Sequence, residues 1–455
     1  MLMNPVIQSE ITPDRVKKVL GKTMLADGID MVLDLKKSKG AKLYDSLRQR
    51  TLVDFFSFFA SSPVGLNHPK IWEDEVYLDK LLRAAVVNPT NSDVYSVEMA
   101  EFVQTFQRLA MPSWMKYTFW ISGGTLGVEN ALKAAFDWKV RKNFSKGYKE
   151  ERGHQVIHFR EAFHGRSGYT LSLTNTDPVK VAYFPKFNWP RISNPKIQFP
   201  LNEERLTELE NAEEKAILDV KEAFHRNKDD IAAIIIEPIQ GEGGDNHFRK
   251  EFLKALRVLS LENDAMLIAD EVQTGVGLTG TLWASQQLFD DPENETTMPD
   301  MIAFGKKMQV CGFMCSRRLD EVPDNVFHVS SRLNSTWGGN LADMVRSKKY
   351  LEIIDEDGLI TSAANMGTYL LEKIRAAEAA FQGVVTNARG RGLMCAFDLP
   401  DKAMRNKFIQ AARKNGVLIL GSGQRSVRFR PPLTITADEL DEGFLLLEKT
   451  LKETL

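Results

Sequence analysis

Two acidic positions follow apolar runs of strand length. Ile231 to Ile236 leads into Glu237, and Met266 to Ile268 leads through Ala269 into Asp270 and Glu271. Open α/β sheets bind ligands at the carboxyl ends of their strands, so these carboxylates are candidates to meet one. A carboxylate buried there needs a cation or hydrogen-bond donors, because an isolated charge in low dielectric is costly; an internal salt bridge would meet the same need. A third apolar run, Met301 to Phe304, leads to the pair Lys306-Lys307. A free lysine is neutral in roughly one molecule in 2,500 at pH 7, so a lysine meant for nucleophilic or Schiff-base work needs a site that favours its neutral or imine form. The end of a buried strand is such a site and Lys307 the candidate, against the plainer reading of two solvated surface lysines. Ser122-Gly-Gly-Thr125 precedes a helical pattern with Val128, Leu132, Ala135 and Phe136 on one face. Its glycines permit close backbone approach, and the helix start offers free N–H groups to an anion such as phosphate. Ordinary helix capping uses the same residue types.

Other strings carry less. Gly275-Val-Gly277-Leu-Thr-Gly280 matches G-x-G-x-x-G, but dinucleotide binding needs the first glycine directly off a strand and an acid ending another strand about 20 residues on. Asp270 to Thr274 intervenes and Leu288 to Pro299 is polar and turn-like, which argues against a dehydrogenase. Cys311, Cys315 and Cys395 make neither a disulfide framework nor a usual zinc spacing, so they read as reduced, mostly buried thiols. His154 and His158 flank or sit in the strand-like run Gln155 to Phe159, where four residues is too long a separation to share a metal; no metal site is expected. Lys+Arg 59 against Asp+Glu 61 gives a net charge of -2, so no whole-chain field draws the protein to nucleic acid or an anionic membrane. Met1 to Leu20 holds Glu10, Asp14, Arg15, Lys17 and Lys18 and lacks the apolar core of a signal peptide. The longest apolar runs are too short to span a bilayer, and the cytoplasm is the expected location.

Elements must hold these groups in place. With 455 residues, 43% hydrophobic and 26% charged, the chain can bury real cores, in about three domains or in one large domain with a smaller companion. Pro13 to Met24 reads as a helix, and the aromatic stretch Phe55, Phe56, Phe58 and Phe59 as packing. From 61 to 340, strand-like runs at Val156–Phe159, Ile231–Ile236, Met266–Ile268 and Met301–Phe304 alternate with helical patterns, which argues for a mostly parallel sheet with helices on both faces. Asn202 to Asp230 reads as a solvated amphipathic helix anchored by Leu209, Ala216, Ile217 and Val220. From 341 to 455, helical stretches at Met344–Ile354 and Ala363–Phe381 precede strand candidates at Gly392–Leu399, Val417–Leu420 and Val427–Arg430 and a last helix after Ala437, a smaller α+β domain. No repeat or low-complexity tract is visible.

In order along the chain, Ser122-Gly-Gly-Thr125, Phe163-His-Gly165, Glu237-Pro-x-x-Gly241-Glu242, Asp270-Glu-Val-Gln-Thr-Gly275, Lys307 and Thr336 resemble the class III (ω-) group of fold type I pyridoxal-phosphate aminotransferases. The resemblance covers nearly the whole chain. It implies an α/β fold: a large domain at 61–340 with a mostly parallel seven-stranded sheet, a small α+β domain at 341–455, and a segment at 1–60 packing with the small domain. It also implies the cofactor pyridoxal 5'-phosphate. Lys307 would bond to the cofactor aldehyde and later shuttle the substrate proton. Asp270 would keep the pyridine nitrogen protonated, which makes the ring an electron sink. Gln273 would hydrogen-bond near the phenolic oxygen, Phe163 and Val272 would sandwich the ring, and Gly124 with Thr125 would bind the phosphate. Thr336 looks like a phosphate ligand supplied by the partner subunit, so a homodimer is implied.

Phe163-His-Gly-Arg-Ser-Gly-Tyr169, Phe304-Gly-Lys-Lys307 with Gln309-Val-Cys-Gly312, Ser331-Arg-Leu-Asn-Ser-Thr-Trp-Gly-Gly339 and Arg389-Gly-Arg-Gly-Leu-Met-Cys-Ala-Phe397 are similar to the members that move the ε-amino group of L-lysine to 2-oxoglutarate. On that reading Arg166 grips the lysine α-carboxylate, so the ε-amine is the one that reacts. The second carboxylate of 2-oxoglutarate would take Arg428, which Glu242 holds during the lysine half-reaction. Asn334 would help position substrate. Another ω-aminotransferase, acting on ornithine, 4-aminobutyrate or acetylornithine, is the alternative. Two residues depart from the pattern. Met308 stands where a smaller residue is expected, which bears on substrate fit, and Leu126 replaces a common acid after the phosphate-loop threonine.

Overall fold

A computed structural model of the chain describes residues 11–455; residues 1–10, the start of the expected 1–60 segment, lie outside the described residues. The main sheet has seven strands: β1 (Met115–Ile121), β2 (Gln155–Phe159), β3 (Arg191–Ile192), β4 (Ile231–Ile236), β5 (Met266–Asp270), β6 (Met301–Phe304) and β7 (Cys311–Ser316). Their order in space is β1-β7-β6-β5-β4-β2-β3. Strands β6, β5, β4, β2 and β3 pair in parallel, and β7 alone runs against both its neighbours. The central strand β4, Ile-Ala-Ala-Ile-Ile-Ile, is buried at every position, as a parallel strand covered on both faces must be. Strands β1, β3 and β7 have no counterpart among the strand-like runs read from the sequence. A 3-10 turn at Lys306–Met308, followed by Gln309 at φ 66°, reverses the chain into β7.

The helix Gly124–Ser145 buries Val128, Leu132, Ala135 and Trp138 against the sheet. The charged helix appears as Glu203–Arg226, with Leu209, Ala216 and Val220 buried. The expected Pro13–Met24 helix is shorter: a 3-10 turn at Pro13–Arg15 and a helix at Val16–Leu20, ended by Gly21. None of its residues is buried, and a helix without a packed face is marginal in water.

Beyond residue 340, helices Leu341–Glu356, Leu359–Ala380, Lys402–Lys414 and Ala437–Thr454 accompany a four-stranded antiparallel sheet, ordered Thr386–Arg391, Met394–Asp398, Ser426–Phe429 and Leu420–Ser422. Val417–Leu418 leaves that sheet and pairs in parallel with the second strand of an N-terminal hairpin, Lys42–Asp45 with Arg50–Asp54. The aromatic stretch after the hairpin is unusual. Ser57, Phe58, Phe59 and Ala60 all have positive φ, from 38° to 63°. Among the described residues no helix is long and apolar enough to cross a membrane.

Candidate active site

Strands β1, β2, β4, β5 and β6 point the same way, so the residues after Ile121, Phe159, Ile236, Asp270 and Phe304 meet at one edge of the sheet. A cavity of about 290 Å³ lies there. Gly124 and Thr125 border it from the helix after β1, Phe163 to Arg166 from the loop after β2, Glu237 from β4, Asp270, Val272 and Gln273 from β5, and Lys306 from β6. Seven residues proposed from the sequence (Gly124, Thr125, Phe163, Arg166, Asp270, Val272 and Gln273) therefore share one wall, although 149 positions separate the first from the last.

The acids are held by donors. Asp270 Oδ1 accepts from the Val272 N–H at 3.1 Å, and Oδ2 lies 2.8 Å from His164 Nδ1. Glu237 accepts from the N–H groups of Phe163 (2.9 Å) and Gly241 (3.0 Å). Burial, with Asp270 nearby, pushes its carboxyl up to about 7. Glu271 turns away from the cavity and takes four donors from Thr274, Ala284 and Ser285, a structural role. Thr125 Oγ1 lies 3.0 Å from Ser167 Oγ and 2.8 Å from Thr170 Oγ1, which ties the helix start to the loop after β2.

The lysine pair departs from expectation. Lys306 borders the cavity, whereas Lys307 is buried behind it and donates to the Gln273 carbonyl at 3.2 Å. The cause is local: Lys306 has a left-handed backbone (φ 50°), so the side chain that faces the cavity is the first of the pair. Burial, with Arg428 nearby, lowers the Lys306 amine to about 8. At that value about one molecule in ten is neutral at pH 7, roughly two hundred times the share of a free lysine. Burial and the neighbouring Lys306 bring the Lys307 amine well below its ordinary value. Met308 does not border the cavity; it is fully buried and accepts from Ser347 Oγ at 3.3 Å.

Beside the cavity, Arg428 Nη2 lies 2.8 Å from Glu242 Oε2. Burial would raise the Glu242 carboxyl, but Arg428 and Lys180 outweigh it and hold it below the usual range. Gln273 is engaged by a residue the sequence reading did not include: its Oε1 accepts from Arg430 Nε at 3.1 Å, and Arg430 also pairs with the buried Asp245. Arg166 has an exposed side chain at the cavity. Asn334 and Thr336 sit on an exposed loop and do not border the cavity of their own chain. His164, Lys180 and Lys306 are the functional candidates that residue-type reasoning missed. His164 stands inside the quoted Phe163-His-Gly165 string, yet its partner lies 106 positions away.

A family model described as Aminotransferase class-III matches residues 24–451. The L-lysine-epsilon aminotransferase of Mycobacterium tuberculosis is 51% identical over 440 residues, covering 97% of this chain and 96% of that protein. That of Streptomyces clavuligerus is 49% identical over 437 residues, covering 96% and 94%. A solved structure of lysine aminotransferase from M. tuberculosis matches with a TM-score of 0.94 at 51% identity, covering 98% of this chain and 100% of that one. The cavity fits the group such enzymes use. A Cβ on Gly124 would come within 2.8 Å of Val272, so only bare backbone closes that corner of the helix start, where free N–H groups suit a phosphate. Asp270, fixed by His164, suits a ring nitrogen, and the buried amine of Lys306 suits an aldehyde. On a match over nearly its whole length, the chain belongs to the class-III aminotransferase family, whose cofactor is pyridoxal 5'-phosphate.

Proposed function

We propose that the protein moves the ε-amino group of L-lysine to 2-oxoglutarate in two half-reactions, giving 2-aminoadipate 6-semialdehyde, which cyclises, and L-glutamate. The observation that carries this reading is the Glu242–Arg428 pair at 2.8 Å beside a cavity that also presents Arg166. Two cationic anchors, one already neutralised by a movable carboxylate, suit a donor with one carboxylate and an acceptor with two. The relatives named L-lysine-epsilon aminotransferase, 48–51% identical, support the donor.

Pyridoxal phosphate, when bound, supplies an aldehyde that takes up the amine and a ring that accepts the electron pair left when a proton is removed. Lys306 would hold that aldehyde at Nζ, in place of Lys307. Once free and neutral, Lys306 Nζ would be the base that takes the proton from the terminal carbon of lysine and passes it to the carbon of the cofactor's former aldehyde group. Asp270 would keep a proton on the ring nitrogen, oriented by His164 and the Val272 N–H. Gly124 and Thr125 would hold the phosphate with their helix-start N–H groups, Phe163 and Val272 would flank the ring, and Gln273 would contact its edge. Arg166 would bind the lysine α-carboxylate at the exposed side of the cavity, which leaves the ε-amine to reach inward. Arg428 would take the second carboxylate of 2-oxoglutarate when Glu242 yields it. Thr336 and Asn334 would serve the site of the other subunit in a homodimer.

Labelling tests the reaction. Purified enzyme given L-lysine with ¹⁵N at the ε position and 2-oxoglutarate is expected to yield ¹⁵N-glutamate, and α-labelled lysine unlabelled glutamate. Label arriving from the α position, or faster turnover of ornithine or 4-aminobutyrate than of lysine, overturns the reading.

A further inference from the structure

We infer that Lys180 is a positioning residue that keeps Glu242 paired when an acceptor carboxylate takes Arg428; the inference rests on the two-substrate reading above. Lys180 ends a short 3-10 turn, Pro178–Lys180, whose start is capped by the Asp177 side chain. Its Nζ lies 2.6 Å from Glu242 Oε1, on the carboxylate oxygen that Arg428 leaves free. It also reaches Thr176 Oγ1 at 3.3 Å and stands 5.3 Å from the centre of the Phe163 ring, which borders the cavity. Arg428 is placed likewise, 5.8 Å from the Phe59 ring. Glu242 is thus a bridge between two cations, one oxygen to each, and each cation stands over an aromatic ring.

The two cations are not equivalent. The Arg428 side chain is 3% exposed, while those of Lys180 and Glu242 are 26% exposed. Arg428 Nη1 is buried and has no hydrogen-bond partner among the described residues, so part of the guanidinium is already available to another oxygen. Arg405 adds positive charge nearby but spends its guanidinium on the carbonyls of Ser422 and Gly423 and on Asn406. An acceptor carboxylate that takes Arg428 must displace Glu242 Oε2. Were Arg428 the only partner, the exchange would leave a partly buried carboxylate unpaired, the costly outcome for any enclosed ion pair. With Lys180 on Oε1, Glu242 pivots about that contact and stays neutralised. Lysine makes no such demand, because its binding leaves Glu242 on Arg428. A surface ion pair elsewhere would matter little; this one matters because its carboxylate competes with a substrate.

The test is Lys180→Met in the holoenzyme, with glutarate as an unreactive dicarboxylate followed by calorimetry and lysine followed by the change in cofactor absorbance. The glutarate dissociation constant is expected to rise about tenfold more than that of lysine, and Lys180→Arg to recover most of the loss. In a Glu242→Gln background, adding Lys180→Met should change glutarate affinity by less than about twofold, since a neutral amide needs no second cation. Equal losses for both ligands, or the full loss in the Glu242→Gln background, would overturn the role of Lys180 alone. Wild-type enzyme that neither binds glutarate nor accepts 2-oxoglutarate would instead remove the two-substrate reading, and this inference with it.

Discussion

Lys306 and Lys307 are neighbours in the chain with different surroundings, and one backbone angle separates them. Gly305 packs so closely that a Cβ there would lie 3.0 Å from Cys311 Sγ and 3.3 Å from Gly124 Cα. The chain leaves this contact through the left-handed Lys306, which puts that amine at the cavity and drives Lys307 toward the Gln273 carbonyl. Nothing in the residue types announces this, because a left-handed position usually advertises itself with Gly or Asn and here holds a lysine. The consequence is measurable. Lys306→Ala is expected to lose activity by about 10³-fold or more and to lose covalent attachment of the cofactor. Lys307→Met should keep the attachment, with a loss in turnover below about tenfold, because it removes a brace behind Gln273 and not a reacting group. Borohydride reduction followed by peptide mass mapping reads both; cofactor mass on position 307 in the wild type would reverse the assignment.

Among elements, the turn Ser57–Ala60 stores the most backbone strain, since four consecutive L-residues in left-handed conformation cost roughly 1–2 kcal/mol each. Its supports are visible. The Asp54 carboxylate accepts from the N–H groups of Phe56 (2.9 Å) and Ser57 (2.8 Å), Ser57 Oγ donates to the Arg430 carbonyl at 2.6 Å, and Gln309 Nε2 donates to the Ser61 carbonyl at 2.7 Å. The turn carries Phe59 to Arg428, so strain here sits next to an anchor of the site. Burial raises the Asp54 carboxyl to about 6. The folded state therefore holds this proton more tightly than the unfolded chain, and the stability it contributes is present below about pH 4 and lost as pH rises through 6. Wild type should lose on the order of 2–3 kcal/mol across that window relative to Asp54→Asn, which accepts the same N–H groups without titrating. Denaturation of both proteins at several pH values checks this, because Glu237 and Glu271, also raised, cancel in the comparison. A gap that does not change with pH would mean that folding leaves the Asp54 carboxyl where it titrates in the unfolded chain. The same region marks what patterning conveys and what it does not. Strand β4 was legible because six apolar residues covered on both faces leave no other solution. Of the aromatic stretch read as packing, Phe55 and Phe56 are buried and Phe58 partly so, while Phe59 is 49% exposed; its handedness depends on Asp54 and on Arg430, the latter more than 370 positions away. Strand β7 was hidden because its direction follows from the turn at 306–309 and not from its own residues.

On the scale of the whole molecule, Gly124, Thr125 and Asp270 were readable because a parallel sheet sends five strand ends to one edge, whereas Phe163, Arg166, Val272 and Gln273, which border the same cavity, came only from the family resemblance. Lys180 and His164 were not readable, because loop residues acquire partners only when distant strands are brought together. Thr336 and Asn334 remain apart from that convergence, exposed on a loop next to Trp337, which is 51% exposed. If each site of a homodimer is completed by the other subunit, two inactive chains can repair one another. Thr336→Ala alone should weaken cofactor binding by about tenfold or more through loss of a phosphate contact, and Lys306→Ala alone should be inactive. Co-expressed in equal amounts, the two chains assort so that about half the dimers are mixed. In a mixed dimer the Thr336→Ala chain supplies Lys306 and the Lys306→Ala chain supplies Thr336 to the same site. That site is whole and its twin doubly defective, so activity assayed at limiting cofactor should return to about one quarter of wild type. Activity no higher than half that of the Thr336→Ala enzyme would place every residue of a site within a single chain.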